Sequence, residues 1–365
     1  VDAPHLPTLP RLLPLVEVFP ASDDRIYLLR GERDPDLVIE DAGPRERALL
    51  ALLAAGGLPV AELTRRVDAV TPGDPPLADA LAVLAEHGLL EDDAPAAAST
   101  LDAEELARYA RQLAYLGAAA QERLRDARVT ILGVGGLGSW ALSALACAGV
   151  GFLRIVDHDS IELSNLNRQL LYRRADVGRP KVEVAAEAIA AFNPTIAVEP
   201  LALRASSPQD VAAVIEGADV AVVTADWPMH DMPRWVNRAC LRARTPWIGA
   251  SQLPPLVRVG PLYAPGRSAC AECQERAARR AFPLYDELEA WREVNPVLPA
   301  ALGWASGLIG TLLAGEVVHQ LTGVVQPATL GTSISIDLRT LEVAREPVAR
   351  DADCPACGGY ADRYE

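Results

Sequence analysis

The sequence predicts an α/β domain on a mostly parallel sheet with antiparallel C-terminal strands, preceded by a small α+β domain. Three observations carry this. Strand and helix patterns alternate from residue 128 onward, and a glycine-rich turn, Gly133-Val-Gly135-Gly136-Leu-Gly138, joins a strand to a helix. The first ninety residues follow another grammar, of short extended stretches and three helical patterns. The 365 residues fit two domains at roughly 150 residues each, with ample chain for a buried core. The expected division is 1–92, a linker at 93–104, and 105–365.

In the first part, extended β-rich stretches at 15–19, 25–29 and 37–40 precede helical patterns at 45–55, 60–67 and 76–90. Gly56-Gly57 and Gly88 act as stops. A hairpin with three short helices is a winged-helix-like arrangement, which could serve a DNA reader. Residues 1–100, however, hold eight Arg and no Lys against eighteen Asp and Glu, a balance of −10. Phosphate binding needs a basic face, so a peptide or protein partner is expected instead. The stretch EDDAPAAAST, acidic, rich in Ala and without periodicity, reads as the linker.

A helix at 101–116 then leads to strand 128–132, the glycine turn, helix 137–148 and strand 153–156. Helix 182–192, strand 196–201, helix 209–216, strand 219–224, helix 233–244 and strand 247–250 follow. Such alternation implies a largely parallel sheet covered on both faces. Residues 275–293 are charged and poorly patterned, and a mobile excursion is expected there. Residues 294–315 carry no charge and are long enough to span a bilayer. Yet Asn295, Pro296 and Pro299 interrupt the start, glycines recur at 303, 307, 310 and 315, and Glu316 follows. A buried helix packed closely against the sheet is predicted, with no membrane partner. Residues 331–348 alternate as a terminal antiparallel pair, and no internal repeat is present.

Half the residues are hydrophobic and 23% charged, which excludes wholesale disorder. The net charge of −15 argues against a nucleic-acid partner. With no signal-peptide pattern and no initiator Met, a trimmed N-terminus on a cytoplasmic protein is expected. Lys181 is the only lysine, against 33 arginines. Compositional bias accounts for the arginines, so a surviving lysine points to a need for a compact, flexible ammonium.

The glycine turn lets a ligand approach the backbone and sets phosphates on helix N-terminal amides. Asp157, nineteen residues past Gly138 at the end of the second strand, is placed to accept hydrogen bonds from a ribose. Alone, this pair points only to a nucleotide, with NAD the default ligand. The polar run Ser164-Asn-Leu-Asn-Arg168-Gln169 and the following Gly178-Arg-Pro-Lys181 fit a triphosphate better, because their two cations can offset charge on a leaving pyrophosphate. Arg168 also reads as an ordinary surface arginine. Asp226, just past strand 219–224, reads equally as a magnesium ligand or a helix N-cap. Arg108-Tyr-Ala-Arg111-Gln112 reads as a solvated helix face. Cys270-x-x-Cys273 and Cys354-x-x-Cys357 offer four thiolates for a tetrahedral zinc, a structural site with no open position; a redox pair needs only one such hook. Cys147 and Cys240 fall in apolar helices and are expected to be buried.

From about residue 106 to 358 these motifs together resemble the E1-like family, the activating enzymes of ubiquitin-like proteins and their bacterial relatives that adenylate sulfur carriers. RYARQ, GVGGLG, DHDSIELSNLNRQ, GRPK, TAD and both Cys pairs stand in family order. The resemblance implies a Rossmann-like E1 adenylation domain in which a carboxylate attacks the α-phosphate of ATP. It implies that Gly133, Gly135, Gly136, Asp157 and Asp159 hold nucleotide and ribose. By the same resemblance Asn165, Arg168 and Lys181 hold phosphates, and Asp226 the Mg2+. Arg111 would reach the site of the other protomer of a homodimer. Trp227 departs from the Asn that commonly follows the aspartate. Residues 274–353 contain no cysteine, so an enzyme thioester is not expected. The first ninety residues resemble, more diffusely, the winged-helix domains that capture leader peptides in ribosomal natural-product pathways, by adding the leader as a β-strand.

Together these point to adenylation of a carboxylate on a precursor peptide whose leader is bound by residues 1–92, with a modifying enzyme as a further partner. A scaffold that presents the precursor to an azoline-forming cyclodehydratase is the alternative, disfavoured because the charged nucleotide residues are all kept. Activation of a sulfur carrier or ubiquitin-like protein leaves the first ninety residues unexplained, and NAD chemistry leaves SNLNRQ and GRPK idle.

Overall fold

The computed structural model describes residues 6–358 except 14, 23, 32–33, 73–75, 93–98, 226–227, 229–230 and 296–299. The chain divides into two compact units, Val1–Ala119 and Ala120–Glu365. In the first, β1 (Pro10–Leu12) precedes an antiparallel sheet of β2 (Glu17–Pro20), β3 (Ile26–Leu29) and β4 (Leu37–Ile39), in that order. Three helices follow, α1 (Pro44–Ala55), α2 (Val60–Val70) and α3 (Leu77–Glu86), then β5 (Leu90–Asp92), which pairs antiparallel with β1. Leu28, Leu53, Leu63, Val67, Leu81 and Leu89 are wholly buried in one cluster. The glycine stops hold: Gly56 and Gly88 adopt φ of 71° and 63°, which L side chains rarely take. The β1–β5 pair was not anticipated, since three-residue strands are too short to show a period.

The helix expected at 101–116 breaks at Tyr109 into α4 (Ala103–Arg108) and α5 (Ala110–Leu116). Asp102 and Glu105 form a capping box at its start, with bonds of 2.8 and 2.9 Å that satisfy two backbone N–H groups. α6 (Ala118–Asp126) then leads into the second unit.

The second unit is built on an eight-stranded sheet. In chain order its elements are β6 (Arg128–Leu132), α7 (Gly136–Ala148), β7 (Phe152–Val156), α8 (Lys181–Phe192), β8 (Ala197–Leu201), α9 (Pro208–Ile215), β9 (Val220–Val223), α10 (Asp231–Ala243) and β10 (Trp247–Leu253). Then come β11 (Leu256–Tyr263), α11 (Ala271–Ala281), α12 (Tyr285–Val294), α13 (Gly303–Thr322), β12 (Thr332–Asp337) and β13 (Val343–Pro347). The strand order is β13-β12-β11-β10-β9-β6-β7-β8. The five strands from β10 to β8 run parallel, and β11, β12 and β13 continue antiparallel. Central strand β9 is buried at every position, as a strand covered on both faces must be.

Three expectations need correction. Residues 275–293 are not an irregular excursion: 275–281 and 285–293 are helical, in α11 and α12. Strand β11 was missed altogether. Cys147 is exposed, because α7 buries Leu142, Leu145, Ala146 and Ala148 and leaves position 147 on its outer side. The apolar run does form a packed helix. A Cβ at Gly310 of α13 would lie 2.7 Å from the Leu137 carbonyl and the Trp140 Cβ, so the glycine lets α13 cross α7 at backbone contact. Among the described residues, no helix is long and apolar enough to cross a membrane.

Candidate functional site

The carboxyl ends of β6, β7 and β9 meet at the glycine turn, the edge where open α/β sheets bind ligands. Gly133 has φ +91°, and a Cβ there would stand 2.8 Å from the Ala225 nitrogen. A Cβ on Gly138 would stand 1.9 Å from the Gly133 carbonyl, so this residue fixes how tightly α7 starts. Gly135 differs: its nearest neighbour would be the Gln169 Nε2 at 3.6 Å, ordinary contact. Packing within the protein therefore does not require a glycine at 135.

Asp157 extends from the end of β7 and organises the turn. Its Oδ2 accepts the Val134 N–H at 2.9 Å, and its Oδ1 accepts the Asp159 N–H at 2.9 Å. Asp159 in turn accepts from the Lys181 Nζ at 2.7 Å, and its carbonyl accepts the Lys181 N–H at 3.0 Å. The Lys181 side chain is 7% exposed, so an ammonium at the start of α8 is held almost out of water by one carboxylate. Burial pushes the Asp159 carboxyl up, but the hydrogen bond and charge of Lys181 outweigh it, and the group titrates below the ordinary carboxylate range.

The polar run folds over the turn. The Arg168 Cδ and Nε lie 3.4 Å from where a Gly136 Cβ would stand, and its Nη1 donates to the Ser164 carbonyl at 2.9 Å and Asn167 Oδ1 at 3.0 Å. Trp140 Nε1 donates to the Arg168 carbonyl at 2.9 Å, and the Tyr172 hydroxyl donates to the Val134 carbonyl at 2.7 Å. Burial, with the nearby Asp157 charge, raises the Tyr172 phenol, which keeps it a donor. Asn165 is buried, and its Oδ1 accepts the Glu162 N–H at 3.1 Å, a bond that shapes the run itself.

The structure thus brings Gly133, Gly135, Gly136, Asp157, Asp159, Arg168 and Lys181 to one edge, with Asn165 in the run that covers it. Arg111 lies on α5, in the first unit. Asp226 and Trp227 lie outside the described residues. Gln169, at the end of the polar run, also lies at this edge: it is 2% exposed beside Gly135, and its Oε1 has no partner among the described residues.

The four cysteines of the two hooks form the second site. All four Sγ atoms lie within 4.8 Å of one another and are buried. Cys270 lies 3.9 Å from Cys273 and 3.7 Å from Cys354, and Cys273 lies 3.3 Å from Cys357. Four sulfurs at about 2.3 Å from a tetrahedral ion would be about 3.8 Å apart, so the cluster fits zinc. A thiol hydrogen bond from Cys357, with the Cys273 N–H and Asn237, pulls Cys270 down to about 5. The Asp351 N–H approaches the Cys273 Sγ at 3.4 Å, while Arg276 and Arg280 each hold its carboxylate at 2.8 Å. The tail is thereby tied to α11 next to the sulfurs.

This fold and this edge define an E1-like adenylating architecture. Residues 109–356 match the ThiF family, and the chain belongs to it. The heterocyst HesA protein of Trichormus variabilis is 35% identical over 260 residues, 70% of this chain and 90% of that protein. The molybdopterin-synthase adenylyltransferase of Escherichia coli is 31% identical over 270 residues, 71% of this chain and 98% of that enzyme. Among solved structures, E. coli MccB with ATP covers 96% of this chain and 100% of its own at a TM-score of 0.75. At 24% identity this is a likeness of fold. MccB, a microcin C7 biosynthetic enzyme, has also been solved with N-formylated MccA.

Proposed function

We propose that the chain adenylates a carboxylate of a ribosomally made precursor peptide and that its first domain, residues 1–92, holds the leader of that peptide. The observation that carries the adenylation is the buried Lys181–Asp159 pair beside Asp157 and the glycine turn. A lone lysine kept out of water at a phosphate-binding turn is a counter-charge in waiting, since exchanging a carboxylate for a triphosphate costs it no new desolvation. A carboxylate oxygen bonds to the α-phosphorus, the bond from that phosphorus to its bridging oxygen breaks, and pyrophosphate leaves. Arg168, Lys181 and Asn165 hold phosphates; Gly133, Gly135, Gly136, Asp157 and Asp159 hold the nucleoside side; Asp226 takes the Mg2+ that shields the phosphates. Arg111 serves the site of the partner in a homodimer.

The peptide half of the reading is supported by the reach of the fold likeness, 96% of the chain against 70–71% for the HesA and molybdopterin-synthase relatives. It is supported too by the sheet of the first unit, whose β2 and β4 are edge strands able to take an extended peptide. With no cysteine in 274–353, an amine, amide, thiol or water from outside the chain traps the adenylate. Zinc in the four-cysteine cluster is structural.

Calorimetry of MgATP binding to the wild type and Lys181→Ala tests this without knowledge of the substrate. Binding that the substitution removes is the expected result. No binding at millimolar ATP would sink the enzyme reading in favour of a scaffold.

A further inference from the structure

On the far side of β9 from the glycine turn lies a cavity of about 680 Å3. Strand alternation makes its floor: Trp247, Gly249 and Ser251 of β10 share one face, with Arg258 and Gly260 of β11 beside them. The opposite face, with Val257, packs on Ala305 and Ile309 of α13. Helices α10, α11 and α12 wall the cavity. Gly249 pairs with Val223 at the end of β9, and Thr224 donates to the Gly133 carbonyl at 2.8 Å. The cavity is therefore two strand spacings, roughly 10 Å, from the turn, where a second substrate must lie to reach a bound nucleotide.

Its charges are unevenly answered. Arg234 is held by Glu275 at 2.5 Å, and Arg279 by Glu275 at 2.9 Å and Asp286 at 3.0 Å. The Arg258 side chain, 42% exposed, has only a 3.6 Å approach to Glu346, while its Nε atom is buried with no hydrogen-bond partner among the described residues. A buried guanidinium N–H left unbonded costs free energy unless something supplies an acceptor. Ser251 stands directly opposite Arg258, and the tilted rings of Trp247 and Tyr263, centroids 4.6 Å apart, line the same cavity.

We infer that Arg258 is a specificity-determining residue that takes a second carboxylate of the substrate, so the activated carboxylate comes from a segment bearing another acidic group close by. This rests on the adenylation reading for its context but is tested apart from it. The probe is N-acetyl-L-glutamate, with its uncharged diamide as control, titrated into the full chain and followed by calorimetry. The wild type should bind the dianion saturably and the diamide at least roughly tenfold more weakly. Arg258→Gln should lose about tenfold for the dianion at an unchanged thermal midpoint, and Arg258→Lys should recover part of it. Equal affinity in wild type and Arg258→Gln, or no saturable binding by the wild type, overturns the assignment. Dianion binding by a wild type that fails to bind MgATP would sink the adenylation reading and leave this assignment standing.

Discussion

The glycine-turn edge and the four-cysteine cluster solve opposite problems within one unit. The cluster gathers four like ligands that face one another at 3.3 to 3.9 Å where bonded, so a single ion satisfies the whole set and nothing is left open. The edge gathers unlike groups with unlike partners: a carboxylate spent on two backbone N–H groups, a buried ammonium on a second carboxylate, a guanidinium over a glycine, and an amide oxygen with no partner among the described residues. Four like ligands can be closed by one ion, whereas the mixed set would need the large, many-sided ligand proposed for it.

The contrast can be broken at five points. Removing the metal should cost most, because structural zinc contributes about 10–16 kcal/mol of apparent binding free energy. Cys273→Ala should release one metal per chain by elemental analysis and lower the thermal midpoint steeply. Next comes Gly138→Ala, whose Cβ would meet the Gly133 carbonyl at 1.9 Å; a loss of about 3 kcal/mol in urea unfolding is expected. Lys181→Ala should weaken MgATP at least about tenfold by calorimetry, roughly 1.4 kcal/mol, and leave the proposed leader binding by residues 1–92 unchanged. Gly135→Ala separates the two regions most sharply. With its nearest neighbour at 3.6 Å it should change stability by less than about 0.5 kcal/mol yet weaken nucleotide binding, and unchanged MgATP affinity would refute close approach at 135. The smallest effect concerns pH. The carboxyl of Asp159 is depressed by Lys181, so its contribution is present above the ordinary carboxylate pKa and fades as pH falls through the lowered one. The stability gap between wild type and Asp159→Asn should therefore narrow from pH 6 to pH 3 in urea titrations.

Much of both regions is legible in the chain. Each Cys-x-x-Cys is a local hook, and two matched hooks imply one tetrahedral ion whatever folds between them. The glycine turn reads equally well, because a strand, a tight turn and a helix start are set by neighbours in sequence. Strand β11 was hidden: Pro254-Pro255 and Gly260-Pro261 look like loop punctuation, and only pairing with β10 and β12 makes Leu256–Tyr263 a strand. The helix at 271–281 was hidden for another reason. It buries only Glu272 and Cys273, so no apolar period announces it, and ion pairs with Arg234, Arg238 and Asp351 hold it in place.

The amino-acid sequence by itself determined the alternating α/β grammar, the turn, the metal hooks and the single lysine, since each is a pattern of neighbours or a composition. Only the tertiary structure decided that Lys181 is buried against Asp159, that the buried Gln169 lies beside Gly135, and that Arg258 lines a cavity two strands from the turn. Those facts depend on which residues distant in sequence come together, and desolvation and pairing act through space rather than along the chain.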